Sequence, residues 1–498
     1  MGTPGGPDLT PLYSPQGRVT RYRVSLPKAG IVETGAGRYE ATPYAERRRG
    51  LGGFALDLKD LVIGRSMSNL RLAEQRLSRK IALAVFSSDA ISSTAYGPQE
   101  VLLILVAAGS GALTYSLPIV LAIVGLLAVV VLSYSQTIRA YPHGGGAYTV
   151  ALENLGTAAG LTAAAALLID YTLTVSVSIS ASVEAIVAAF PSMQPLSVEL
   201  AVAMVAVIAT MNLRGVRESG TVFAIPTYGF IIVLGTTIVF GVAKVLLSDT
   251  PNIFAAGTPD RALPEATHSL SLFLLLRAFA AGCSALTGVE AVSNGVQAFK
   301  PPEWKHAIET MTAMAIILGS LLLGTTLLAR HYGVVYLEGD HATVLAQIGE
   351  QVFGRGAMFF ALQAFTAGIL FLAANTSFAD YPRLAAVLAK DAYLPRVFRQ
   401  RGNRLVFSYG ILALALMAIG LIVLFQAKTT RLIPLYAFGV FLSFTLSQAG
   451  MVRHWHRLRG RGWRLSMAIN GFGATVTAIV TAIVVVTKFN EGGWMVVV

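Results

Sequence analysis

Long apolar runs are the feature that most constrains this chain. Eleven such runs follow one another between residues 80 and 488. A helix needs roughly 20 apolar residues to cross the hydrocarbon core of a bilayer. Only 13% of all residues are charged, whereas about a quarter are charged in a typical soluble domain. The pattern therefore predicts an all-α polytopic membrane protein.

The predicted spans share this length and apolar character: 80–107, 115–138, 158–189, 196–213, 219–247, 271–298, 307–330, 353–377, 405–426, 430–451 and 465–488. A twelfth span begins at EGGWMVVV and stops at Val498. Residues 465–498 are thus expected to hold two extra spans, the last of them truncated, with further sequence beyond it in the natural protein.

Basic residues in alternate loops predict the orientation of the spans. Arg139, Arg214, Lys300 and Arg396 all follow even-numbered spans, while the opposite loops are poor in Lys and Arg. Because basic loops stay on the cytoplasmic side, we expect a cytoplasmic N-terminus and a multi-pass plasma-membrane protein. The same bias accounts for the net charge of +12 without a nucleic-acid partner.

The chain is expected to divide into three parts. Residues 1–55 are rich in Gly, Pro and Arg and predict a disordered cytoplasmic tail. Residues 56–79 predict an amphipathic cytoplasmic segment on the membrane surface. Residues 80–498 are expected to form the transmembrane domain. The single cysteine, Cys283, excludes an intrachain disulfide.

Two spans are interrupted in their middle by small and polar residues. They are the first, at SSDAISS, and the sixth, at AAGCSALTG. Corresponding breaks predict an inverted five-plus-five repeat, with repeat one at about 80–247 and repeat two at about 271–451. We expect the inner half of the first span to end near Phe86–Ser88. Its unwound backbone must line a polar cavity, because hydrocarbon cannot satisfy free amides and carbonyls.

Hard oxygen ligands surround these breaks. Asp89 lies in the first break, Thr287 in the second, and Asp170, Thr174 and Ser178 share one face of the third span. Carboxylates, hydroxyls and carbonyls can replace the hydration shell of a bare monovalent cation. There is no His or Cys cluster for a transition metal, and no cofactor is expected.

Each residue has an alternative role. Asp89 could cap the free amides of the outer half-helix, and Asp170 could bond a tyrosine such as Tyr96. Thr174 and Ser178 could bond back to their own helix.

The remaining candidates are also open to two interpretations. Tyr96, Tyr171 and Tyr436 fit either gating or packing. Glu290 could carry a proton or tie the sixth span to a neighbour. Two carboxylates around one monovalent cation leave net negative charge, so one acid would tend to hold a proton that travels with the cation.

Long motifs then point to a family. YPHGGGAYTVALENLG (141–156) and YPRLAAVLAKDAYLP (381–395) resemble signatures of the amino acid–polyamine–organocation (APC) superfamily. EQRLSRKIALAVFSSDAISSTAYG, LLIDYTLTVSVSIS, ALTGVEAVSNGVQAF and LIPLYAFGVFLSFTLSQAGM resemble the KimA-type potassium uptake proteins of bacteria, which are related to the KUP transporters.

The resemblance implies the fold with broken first and sixth helices and potassium–proton symport. It implies a homodimer and inhibition by cyclic di-AMP, both of which involve a C-terminal cytoplasmic domain that is absent here. By position, it implies potassium contacts from Asp89, Tyr96, Asp170, Thr174, Ser178 and Thr287. Tyr171, Glu290 and Tyr436 would have gating or coupling roles.

Other function classes remain as alternatives. A proton-coupled amino-acid or organic-cation permease would share the fold, but the first break lacks the glycine-rich cradle that holds a substrate carboxylate. A potassium channel would conduct without proton movement, and the chain has no filter repeat like TVGYG. No nucleophile–base set predicts an enzyme.

Overall fold

A computed structural model describes the chain over residues 8–13, 19–25, 31–35, 38–41, 77–142, 144, 146–214, 220–248, 252–254, 256–257, 269–337, 339–340, 342–402, 406–460 and 462–488. The chain separates into two compact units. One comprises residues 1–74 and 403–405, and the other comprises residues 75–402 and 406–498.

The first unit contains two antiparallel hairpins. Strand β1 (Asp8–Tyr13) pairs with β2 (Val19–Ser25), and β3 (Ile31–Gly35) pairs with β4 (Arg38–Ala41). This differs from the expectation of a disordered tail over 1–55. β-branched and aromatic residues recur through VTRYRVS and IVETG, and such residues favour extended backbone. Of the surface segment predicted at 56–79, residues 56–76 lie outside the described residues.

The second unit is helical. Its helices are α1 (Arg79–Ser92), α2 (Gly97–Val106), α3 (Ser116–Ala140), α4 (Ala147–Leu155), α5 (Thr157–Ala189), α6 (Ser197–Leu213), α7 (Gly220–Leu246), α8 (Leu272–Gly282), α9 (Ala291–Asn294), α10 (Glu303–His331), α11 (Val344–Phe353), α12 (Ala357–Lys390), α13 (Ser408–Leu424), α14 (Thr429–Leu458) and α15 (Trp463–Lys488). Short 3₁₀ turns connect several of them: Ser93–Ala95, Ser110–Tyr115, Pro191–Leu196, Cys283–Leu286, Val296–Ala298 and Arg396–Arg399.

Nine helical segments of the described chain are long and apolar enough to cross a membrane: Ser110–Ala140, Thr157–Ala189, Pro191–Leu213, Phe223–Leu246, Leu272–Asn294, Glu303–His331, Ala357–Lys390, Thr429–Leu458 and Trp463–Thr487. The predicted first span is divided between α1 and α2, and the predicted ninth corresponds to the shorter α13. The predicted twelfth lies outside the described residues, which end at residue 488.

Helix α5 is the central element of the bundle. Its most apolar window is 89% buried, compared with 22% for the window in Pro191–Leu213. Small residues allow neighbours to approach it closely, as is usual for helices packed in a membrane. A Cβ atom on Gly439 of α14 would lie 2.8 Å from the carbonyl oxygen of Ala166. The polar face of α5 therefore has α14 directly beside it.

Candidate cation-binding site

Helix α1 continues further than expected. It does not end near Phe86–Ser88 but runs through Asp89 to Ser92. Serine hydroxyls bond back to carbonyls of the preceding turn, with Ser88 donating to Val85 at 3.1 Å and Ser92 donating to Asp89 at 2.7 Å. These bonds satisfy carbonyls inside the polar stretch. Asp89 consequently lies in the last turn of the inner half-helix rather than in unwound chain.

The first break is a 3₁₀ turn, Ser93–Ala95, followed by Tyr96 and then α2. It lies directly against the second break. Ser93 Oγ donates to the carbonyl of Ala285 at 2.7 Å, and a Cβ atom on Gly97 would lie 2.8 Å from Cβ of Ala285. The two interrupted helices thus cross at their breaks.

The second break combines a 3₁₀ turn with a reversed backbone. After Cys283–Leu286, Thr287 is extended and Gly288 has φ of 81°, a conformation that favours glycine. The Asp89 carboxyl group packs on this glycine, because a Cβ atom at Gly288 would lie 2.7 Å from Oδ2 of Asp89. An acid of the first broken helix is therefore held against the break of the sixth.

The third span contributes the face that its spacing predicts. Asp170, Thr174 and Ser178 on α5 are each about 1% exposed. Thr174 Oγ1 donates to the Tyr436 hydroxyl of α14 at 3.0 Å, so it bonds across the helix interface. Ser178 Oγ has no partner within the described chain. Ser178 therefore does not donate to a carbonyl of its own helix, which was the alternative role expected for it.

All nine predicted site residues are buried: Asp89, Tyr96, Asp170, Tyr171, Thr174, Ser178, Thr287, Glu290 and Tyr436. Several of their oxygens have no hydrogen-bond partner among the described residues: Asp89 Oδ1, Asp170 Oδ1, Glu290 Oε2, Ser178 Oγ and the Tyr96 hydroxyl. A bond between Asp170 Oδ1 and Tyr96 is thus not formed. Buried oxygens left unpaired are costly, which makes them ready ligands for a cation.

Tyr171 and Glu290 lie beside this set. The Tyr171 hydroxyl accepts a bond from Asn294 Nδ2 at 3.1 Å. Asn294 also packs against the glycine-rich loop, since a Cβ atom on Gly146 would lie 2.6 Å from its Oδ1. Glu290 is in the turn between Gly288 and α9. Tyr171 is therefore connected to the YPHGGGAY motif as well as to the sixth helix.

A fourth acid, Asp380, lies near the site and was not among the residues predicted from the sequence. It lies on α12 within electrostatic range of Asp89, Glu290 and Tyr171, and it pairs with Arg383 at 3.5 Å. The predicted eighth span ended at residue 377, whereas α12 continues through Pro382 to Lys390. An acid immediately before the YPRLAAVL motif was the signal that could have identified it.

Comparison with known proteins agrees with this geometry. The sequence profile of the amino acid permease family matches residues 77–494, which include both broken helices and all nine candidate residues. The chain belongs to the amino acid permease family. The predicted resemblance to the APC superfamily is thereby confirmed.

Two relatives show which individual transporters this chain is similar to. It is 45% identical over 436 residues to the potassium transporter KimA of Bacillus subtilis (strain 168), covering 87% of this chain and 70% of that protein. It is 26% identical over 289 residues to the low-affinity putrescine importer PlaP of Escherichia coli (strain K12), covering 54% of this chain and 57% of that one. The predicted resemblance to KimA-type proteins is confirmed by the first of these.

Proposed function

We propose that this permease is a secondary active potassium importer that carries potassium and protons together by alternating access across the bacterial plasma membrane. The relative with 45% identity is named as a potassium transporter. The observation that carries the proposal is the enclosed set of unpaired oxygens at the crossing of the two broken helices. Oxygen ligands of this kind can replace the hydration shell of potassium.

Six residues would bind the ion. Carboxylate oxygens come from Asp89 and Asp170, and hydroxyl oxygens come from Tyr96, Thr174, Ser178 and Thr287. Gly288 would hold the Asp89 carboxyl in place, since the two are in direct contact. The Thr174–Tyr436 bond would orient the threonine hydroxyl, with Tyr171 and Tyr436 acting as gates on the site.

Proton coupling follows from the excess of acids. Glu290 lies within electrostatic range of Asp89, Asp170 and Asp380, and a single potassium ion neutralises only one negative charge. Like charges at short range in a medium of low dielectric repel strongly. A proton on one acid, which we assign to Glu290, would therefore enter together with the ion.

The wider architecture is part of the same proposal. We expect an inverted five-plus-five repeat, twelve spans, a cytoplasmic N-terminus and a homodimer, with inhibition by cyclic di-AMP where the family's C-terminal domain is present. The crossing of the two breaks supports the repeat, because a midplane site between two discontinuous helices is typical of repeat-built transporters.

A second candidate is an importer of organic cations. The similarity to the putrescine importer favours it, and a cavity with several acids would also attract a diamine. The burial of all six proposed ligands argues for a smaller, bare ion, since each is at most 6% exposed.

The test is rubidium uptake by the purified protein in liposomes, with internal pH recorded at the same time. We expect potassium to compete with rubidium and internal acidification to accompany uptake, while putrescine and amino acids have no effect. Competition by putrescine would establish the second candidate. Rubidium entry without acidification, at a potential that follows potassium alone, would indicate a channel and contradict symport.

A further inference from the structure

A line of polar side chains leaves the cation site between α3, α14 and α15, and the proposed ion route does not use it. It begins at Tyr134 of α3, which is 1% exposed. Glu290 and Asp170 lie within electrostatic range of its hydroxyl, and α9, which starts immediately after Glu290, packs on α3. Tyr134 is therefore the polar residue at which the line between α3, α14 and α15 comes within electrostatic range of the site.

The next two residues come from α14. Ser447 Oγ faces the Tyr134 hydroxyl, but neither oxygen completes a well-aligned hydrogen bond within the described chain. Gln448 is 1% exposed, and both its Oε1 and its Nε2 lack partners there. Tyr134, Ser447 and Gln448 thus have four buried polar atoms without a hydrogen-bond partner in the described chain.

Gln448 packs against α15, next to Ser133 of α3. A Cβ atom on Gly473 would lie 2.0 Å from Gln448 Oε1 and 3.2 Å from Ser133 Oγ, so the glycine leaves room for both groups. Ser133 Oγ donates to Asn470 Oδ1 at 2.8 Å. From Ser133 onwards the line therefore continues as direct hydrogen bonds.

The line ends at partly exposed residues. Asn470 Nδ2 donates to the carbonyl of Ser466 at 2.9 Å, and Ser466 Oγ donates to Gln136 Oε1 at 3.2 Å. Gln136 and Ser466 lie in the last turns of α3 and the first turn of α15. Loop charge predicts that these ends face the cytoplasm. We call this line the polar seam: Tyr134, Ser447, Gln448, Ser133, Asn470 and Ser466.

Helix association alone does not explain the polar seam. Polar residues that join helices in a membrane do so by bonding one another, as Ser133 and Asn470 do. Tyr134, Ser447 and Gln448 make no such bond within the described residues. A buried polar group without a partner is costly. The facing hydroxyls of Tyr134 and Ser447 supply two of the 2–4 polar partners that a bound water needs.

We propose that the polar seam is the route by which the co-transported proton reaches the cytoplasm, separate from the route of the ion. This rests on the proposed symport. The O–H bond at the proton-carrying acid breaks, the electron pair stays on the carboxylate, and the proton passes to water held by Tyr134, Ser447 and Gln448. Hydroxyl groups and water both donate and accept, so they can pass a proton onward, while the amides of Gln448 and Asn470 would hold the water in place.

Several charged and titratable groups surround Glu290, the starting point of the route. Asp380, Asp89 and Asp170 act on the Glu290 region, and Tyr134 and Tyr171 are in electrostatic range of it. Of these, Asp380 lies on α12 and Tyr134 on α3. Glu290 thus has both Asp380 and the first residue of the polar seam within electrostatic range.

Two transport assays separate this route from the ion site. Potassium–rubidium exchange returns the carrier loaded and needs no net proton movement, whereas net uptake driven by a pH gradient requires proton release. Gln448→Met retains the volume of the side chain and removes its polar atoms. We expect net uptake to fall about tenfold, as loss of one such group in a polar network can cost over 1 kcal/mol, while exchange stays within about twofold. Tyr134→Phe should behave in the same way.

Gln363→Met is the matched control. Gln363 of α12 is also buried, and both its amide atoms also lack partners in the described chain, but it lies outside the polar seam. We expect both assays to remain unchanged. Equal loss of exchange and net uptake in Gln448→Met and Tyr134→Phe, or no loss in either, overturns the proton route. Wild-type protein that takes up potassium without acidification overturns the symport proposal and this route with it.

Discussion

The Asp89 carboxyl group rests on the backbone of Gly288, so closely that a Cβ atom there would lie 2.7 Å from Asp89 Oδ2. The glycine has φ of 81°, which side chains rarely tolerate. One acid of the first broken helix and one reversed residue of the sixth therefore determine the shape of the proposed site together.

Gly288→Ala tests this relationship. The left-handed backbone alone should cost about 1–2 kcal/mol, and the new methyl group must displace Asp89. We expect rubidium uptake to be lost while protein remains in the membrane. The control is Gly125→Ala, since Gly125 has nothing within 4 Å of the added atom. Full uptake by Gly288→Ala would show that the carboxyl position is unimportant.

The Thr174–Tyr436 bond should set the affinity for the ion. Thr174→Val removes a donor at 3.0 Å from the tyrosine hydroxyl, and we expect KM for rubidium to rise roughly fivefold, equivalent to about 1 kcal/mol. Thr172→Val is the matched control, because Thr172 bonds its own helix at the Leu168 carbonyl. An equal effect of both substitutions would indicate general damage to α5 instead.

The aromatic pair Phe86 and Phe299 lies at the inner halves of the two broken helices. We expect it to limit the entry of water and small reagents to the site from that side. Their rings stack with centroids 5.2 Å apart, and Leu77 pairs with the chain at Ala298 and Lys300. We expect Phe86→Ala to raise maleimide labelling of Cys283, which is fully buried and is the only cysteine in the sequence. Labelling as slow as in wild type would contradict this role for the pair.

A hydrogen bond joins the two signature motifs. Tyr148 donates to Asp391 Oδ2 at 2.7 Å, and burial followed by this bond raises the pKa of Tyr148. Tyr148→Phe should lower the free energy of unfolding by about 1 kcal/mol, measured as a drop in Tm.

The same bond predicts a pH dependence. A tyrosine whose pKa is raised on folding stabilises the protein below the unfolded pKa of about 10 and loses that effect as the pH rises further. The Tm difference between wild type and Tyr148→Phe should therefore be constant near neutral pH and shrink above about pH 10. A difference that is lost on acidification from neutral pH would contradict this explanation.

Periodicity predicted part of the arrangement of the candidate residues. The face formed by Asp170, Thr174 and Ser178 follows from their spacing alone, and the breaks follow from small polar residues within apolar runs. The helical path through Asp89 could not be predicted from composition, which suggests an unwound turn there. The bonds from Ser88 and Ser92 to their own helix stabilise that turn as a helix. Contacts such as Asp89 on Gly288 join residues far apart in sequence, and spacing within one helix contains no information about them.

The central claim is that Asp89 and Asp170 bind the transported cation. The most direct measurement is growth of a potassium-uptake-deficient bacterium at limiting potassium, with wild type, Asp89→Asn, Asp170→Asn and the control Glu350→Gln, an exposed residue paired with Arg355 at 3.9 Å, all at equal membrane levels. We predict growth with wild type and the control and none with either aspartate variant. Growth of both aspartate variants at the wild-type rate would contradict the claim.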